Sequence, residues 1–175
     1  MNRSSFYTRL WLTLIFTVVV FSVGAQNDKS LRKSPPATTA VKVSGVNVKI
    51  DYSQPAKRGR HIWGGLVKYD RIWRTGANEA TTFDISADVR VDGKLLKAGK
   101  YALFTIPGKE EWVIIFNNVP DQWGSANYDQ SKDELRVTVK PSYGNPLVET
   151  FTIDINKKGV VTLKWDDAIV SFTVS

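Results

Sequence analysis

Residues 101–116 read YALFTIPGKEEWVIIF. Tyr101 to Ile106 is rich in aromatic and β-branched side chains, Pro107-Gly108 is a turn dipeptide, and Trp112 to Phe116 returns with the same texture. Strand formers on both sides of a Pro-Gly break predict a β-hairpin. The alternation extends outward in both directions. Upstream, Val46, Val48, Ile50 and Tyr52 share one face while Asn47, Lys49, Asp51 and Ser53 share the other, until Pro55 stops the strand. Phe83, Ile85 and Ala87, then Val89 and Val91, lead to the turn pair Asp92-Gly93. Downstream, Leu135-Val137-Val139 ends at Pro141, Phe151-Ile153-Ile155 turns at Asn156 to Gly159, and Val161-Leu163-Trp165 precedes Ile169 to Val174. No segment reads as a convincing helix; the one candidate is a turn or two around Asp129 to Leu135, with Asp129 as the candidate cap.

About eight short strands with Gly or Pro between them predict an all-β fold. The expected form is an antiparallel, jelly-roll-like β-sandwich, with a barrel as the alternative. No amphipathic helix of ten residues separates the strands, which disfavours a parallel α/β arrangement.

The chain has 175 residues, 24 Lys+Arg, 17 Asp+Glu, one His and no Cys. Residues 1–25 have the form of a signal peptide with a signal helix: Arg3 and Arg9 are their only charges, Leu10 to Phe21 is apolar apart from Thr13 and Thr17, and small residues lead to Ala25. Removing them leaves 150 residues with 22 basic and 17 acidic side chains, a formal charge of +5. The expectation is an exported protein, periplasmic or secreted, with no membrane attachment after cleavage. Residues 26–39, polar and holding Pro35-Pro36, read as a flexible linker, and residues 40–175 as a single β domain.

The same arithmetic closes off much chemistry. Without cysteine there is no disulfide framework, thiol nucleophile or thiolate metal site. A triad would have to use His61, the sole histidine, and no G-x-S-x-G elbow accompanies any serine. One histidine also precludes a multi-histidine zinc site, and no metal or other cofactor is expected. Basic residues are interleaved with acids from Asp51 onward, which argues against a nucleic-acid partner.

The chemically dense segment is residues 57–82, KRGRHIWGGLVKYDRIWRTGANEATT. Trp73, Arg74, Asn78 and Glu79 put an indole, a guanidinium fork, an amide and a carboxylate within seven residues, all groups that make directional contacts. Trp123 and Tyr128, in the loop after the Trp112 strand, place rings beside amides and carboxylates, a composition suited to sugars. These six residues form a candidate site for a small ligand, glycan or peptide. The competing reading is structural: tryptophans in the core, glycines in turns, and Arg74 with Glu79 as an internal ion pair. Two further functions stay open, a hydrolase of envelope or extracellular polymer using a carboxylate pair that includes Glu79, and an accessory or structural protein-interaction domain.

The stretches GRHIWGGLVKYDRIWRTGANEATTF, AGKYALFTIPGKEEWVIIFN, QWG and YDQSKDELRV resemble a bacterial family, domain of unknown function 2911, from about Ser34 to Ser175. The resemblance implies an exported, mostly β domain from bacteria of the Bacteroidetes type. It implies no activity, so it assigns no catalytic residue. His61 looks like a variable position within the pattern.

Overall fold

In the computed structural model of the protein, which describes residues 28–175, the Pro-Gly hairpin forms and becomes the centre of the larger sheet. The strands are β1 (Pro36–Val43), β2 (Val46–Ser53), β3 (Thr81–Ile85), β4 (Val89–Val91), β5 (Lys94–Leu96) and β6 (Gly99–Ile106). They continue with β7 (Trp112–Asn117), β8 (Asp133–Val139), β9 (Val148–Ile155), β10 (Val160–Asp166) and β11 (Ala168–Thr173). Six of them form one sheet in the order β1-β2-β3-β6-β7-β8, three form a second in the order β11-β10-β9, and β4-β5 is a separate hairpin. All pairings are antiparallel, and no sheet closes into a barrel. The order is that of a meander interrupted by one hairpin, simpler than the crossed order of a jelly roll.

The inward faces of the two larger sheets share one core. Val48, Ile50, Phe83, Ile85, Leu103, Ile114 and Phe116 from the six-stranded sheet are buried in the same cluster as Phe151, Ile153, Val161, Leu163, Val170 and Phe172 from the three-stranded sheet. Ring contacts cross between the sheets: Phe172 lies 6.2 Å from Phe83 and 6.0 Å from Phe116, and Tyr52 lies 5.9 Å from Phe151. The expected face of β2 is the buried one, because a period of two sends Val48, Ile50 and Tyr52 inward together.

Strands β6 and β7 are covered on both faces, which accounts for their nearly unbroken apolar runs. Their second face carries Ala102, Phe104 and Ile115, against which Ile72 and Tyr128 pack from loops.

Turn chemistry sets the registers. Asp92 and Gly93 both have positive φ, 44° and 83°, the pairing that closes a two-residue hairpin between β4 and β5. The helical turn expected near Asp129 is a 3₁₀ turn, Gln130–Lys132, whose cap is the Asp129 carboxylate accepting from the Ser131 N–H at 2.9 Å.

The eleven strands among the described residues exceed the expected eight because two are very short and one is polar. β4 and β5 have three residues each, and β1 is an edge strand whose inward positions, Val43 apart, are only partly buried. β1 begins at Pro36, inside the stretch read as linker. Its alternation of Ala37, Thr39, Val41 and Val43 is too polar to stand out, and proline is tolerated on an edge strand. The export signal and its helix lie outside the described residues. Asp28–Arg32, with a 3₁₀ turn at Lys29–Leu31 capped by Asp28, belongs to a separate compact unit, and the β fold starts at Lys33.

Trp165 is 1% exposed and its indole N–H donates to the Glu149 carbonyl at 3.2 Å. Trp165→Ala is therefore expected to cost about 3–5 kcal/mol, read as a lower urea midpoint with an unchanged m-value.

Candidate functional site

Residues 54–80 join β2 to β3 with no strand or helix of their own, a length at which loops tend to be functional. This one is held by backbone contacts to both sheets. Phe151 N–H donates to the Pro55 carbonyl at 2.9 Å, and Lys57 N–H to the Glu149 carbonyl at 2.7 Å, both on the three-stranded sheet. Trp73 and Thr105 exchange a reciprocal pair of hydrogen bonds at 2.8 and 2.9 Å, which ties the loop to β6. Its end meets the 122–124 turn, where Ala80 N–H donates to the Gln122 carbonyl at 3.0 Å and Gly124 N–H to the Asn78 carbonyl at 3.1 Å.

Two tryptophans of this loop enter the core. Trp63 lies 5.0 Å from Trp112 of β7 and 6.0 Å from Trp165 of β10, both edge-on. Trp73 stacks on Trp165 at 5.9 Å and meets Phe151 at 5.2 Å. Its indole N–H donates back to the Gly76 carbonyl at 3.1 Å, so the ring shapes the turn that follows it.

That turn is conformationally demanding. Thr75 has φ +55° and Asn78 φ +59°, and a positive φ at a β-branched residue is an outlier that surrounding contacts must hold. Thr75 is fully buried, its hydroxyl donates to Thr105 Oγ1 at 3.2 Å, and its carbonyl accepts from Thr81 Oγ1 at 2.7 Å. Gly76 has φ +156°, and a Cβ there would fall 2.9 Å from the Ser53 carbonyl oxygen, so only glycine fits. Asn78 spends its amide on structure, donating to the Ser34 carbonyl at 3.0 Å and to Ser53 Oγ at 3.3 Å.

Beside the turn lies a cavity of about 410 Å³. Trp73, Arg74, Gly76, Ala77 and Asn78 form one side, and Arg60, Leu66 and Val67 come from the earlier part of the loop. Pro55, Trp165 and Ser34 complete it. The lining carries two guanidinium groups and no carboxylate. Arg60 is engaged by backbone, its Nε donating to the Lys57 carbonyl at 2.9 Å and its Nη2 to the Ala56 carbonyl. Arg74 differs: its Nε is buried without a hydrogen-bond partner, and among the described residues no ion pair joins it to Glu79 or to any other acid. Burial draws its pKa below the usual arginine range. The internal Arg74–Glu79 pair expected as the structural alternative is thus not formed.

The predicted residues therefore divide. Trp73, Arg74 and Asn78 line the cavity together, whereas Glu79 does not line it and instead bridges Trp123 through the backbone. Trp123 is 63% exposed and is not part of the lining. Tyr128 is a structural tether. Its ring packs on Phe104 at 5.0 Å, its hydroxyl donates to Asp133 Oδ2 at 2.6 Å, and Arg136 Nη2 donates to it at 2.6 Å. Burial first, and then the Asp133 carboxylate, push the phenol up to about 12. Arg60, Leu66 and Trp165 were not expected at the site. Arg60 sits in the same basic stretch and had a local signal, but Trp165 lies on a distant strand and had none.

A second, more open cavity of about 660 Å³ is lined by Asp70, Glu110 and Glu111 with Lys109, Lys140 and Tyr69. Among the described residues no three His, Cys, Asp or Glu side chains converge as metal ligands, and His61 is exposed.

Residues 34–174 match the family model described as Protein of unknown function (DUF2911). No curated protein and no solved structure matches the chain.

A half-buried guanidinium without a partner contributes no stability, so Arg74→Met is expected to be neutral or to stabilise by up to about 1 kcal/mol in thermal melts. Asp133→Ala, which strands Tyr128 and Arg136, should cost about 1–3 kcal/mol in the same melts.

Proposed function

Because the chain belongs to the DUF2911 family, whose description carries no activity, we propose from its own residues that it is an exported ligand-binding module acting through the Arg74 cavity. The observation that carries this reading is a cation kept at a cavity wall without a counter-charge. A fold that desolvates a guanidinium and gives it no counter-charge among the described residues loses free energy, and an anionic group bound in the cavity beside it offsets that loss. The cavity has the size of small-ligand sites, and the exposed side chain of Leu66 gives it an apolar contact. A small ligand, a glycan or a peptide would enter from the Leu66 side, where that side chain is 49% exposed. Export to the periplasm or the cell exterior follows from the signal pattern of residues 1–25 and agrees with a chain that needs no thiol chemistry. Among the described residues no helix is long and apolar enough to cross a membrane.

For the second reading, a hydrolase using a carboxylate pair, Glu79 lines neither of the two cavities described above, and Asp70, Glu110 and Glu111 line the larger of them.

A thermal-shift screen of the full chain against glycans, peptides and small acids tests the binding reading. A ligand present at 100 times its Kd should raise stability by about 2.7 kcal/mol, and the shift should vanish in Arg74→Met. A hit retained at full strength in that variant places binding elsewhere, and a screen with no shift ends the proposal.

A further inference from the structure

The geometry points to the carboxylate-bearing C-terminal end of a peptide, with an apolar last side chain, as the ligand of this cavity, held by the Arg74 guanidinium. This rests on the binding reading above and narrows it.

Charge decides the first step. Two guanidinium groups and no acid line the cavity, so a cationic ligand meets repulsion and a neutral one leaves Arg74 as it stands. The second step is the number of free forks. Arg60 already donates from Nε and Nη2 to backbone carbonyls, whereas Arg74 has no hydrogen bond to its side chain among the described residues. With its Nε buried, one guanidinium offers its terminal nitrogens to one carboxylate; a phosphate dianion calls for more donors than remain.

The walls decide between a peptide and an acidic sugar. A sugar ring stacks on an exposed aromatic face and pairs its hydroxyls with amides and carboxylates. Here Trp73 and Trp165 are 8% and 1% exposed, with their faces turned to each other and to Phe151 and Trp63. The amide of Asn78 is spent on Ser34 and Ser53, and Trp123, the exposed ring, is not in the lining. What the cavity offers instead is the aliphatic side chain of Leu66, 49% exposed, beside the guanidinium. That combination fits an aliphatic side chain adjoining a terminal carboxylate.

Titration calorimetry of the full chain with N-acetyl-Ala-Leu as free acid, with its C-terminal amide, and with galacturonic acid tests this. The free acid should bind, the amide at least tenfold more weakly, and galacturonic acid no better than the amide. Arg74→Met should weaken the free acid at least tenfold, Arg74→Lys should restore only part of that loss, and Leu66→Ser should weaken acid and amide alike. Equal binding of acid and amide overturns the carboxylate assignment while leaving the cavity a binding site. Preferential binding of galacturonic acid overturns the peptide assignment. Failure of all three, with another compound stabilising the chain in an Arg74-dependent way, overturns this inference alone; failure together with an empty thermal-shift screen removes the binding reading as well.

Discussion

Four indoles and one phenyl ring packed between two sheets are the contact on which the rest of the molecule depends. Trp112 comes from the six-stranded sheet, Trp165 and Phe151 from the three-stranded sheet, and Trp63 and Trp73 from the long loop, with neighbouring ring centroids 5.0–6.3 Å apart. Edge-on aromatic pairs add about 0.5–1.5 kcal/mol each beyond their buried area, and rings of this size dominate the burial of a small core. The loop is thus a wedge that fills the space between the sheets. That is why residues 54–80 hold one shape without a helix or strand.

The wedge also sets the cavity. Once Trp73 is locked against Trp165 and its N–H turns back to Gly76, the chain must reverse within residues 74–79. It does so through a positive φ at Thr75, a cost of about 1–3 kcal/mol that buried hydroxyl contacts to Thr105 and Thr81 offset. Arg74 is the residue left over. Its backbone carbonyl receives Thr81 N–H at 3.2 Å, while its side chain runs toward Gly124 and the cavity without an anion to meet it. Strain and an uncompensated charge side by side are the pattern of a surface kept for binding rather than for stability.

Much of the fold was legible because β structure writes itself locally. Period-two alternation in β2 and turn pairs such as Asp92-Gly93 depend on residues within a few positions of one another, and so does the Asp129 cap. Strand β1 was not legible, since an edge strand with one partner and half-covered side chains needs little hydrophobicity. The site was half legible. Trp73, Arg74 and Asn78 were expected together and are found on one cavity, because they sit on one turn. Glu79 and Tyr128 were grouped with them on chemical type and proximity in sequence, which say nothing of direction. Glu79 lies one residue beyond a left-handed Asn78 and pairs across to Trp123, and Tyr128 answers to Asp133 and Arg136.

By itself the sequence determined an antiparallel all-β chain with one chemically dense loop, and it removed thiol and multi-histidine chemistry, because composition and alternation act over short range. Only the tertiary structure decided that Trp73 belongs to the core as well as to the cavity, that Arg60 and Trp165 join it, and that Arg74 has no carboxylate partner among the described residues. Those facts depend on residues about a hundred positions apart meeting across two sheets. Side-chain direction at such meetings is set by packing and positive-φ turns, which no local pattern encodes.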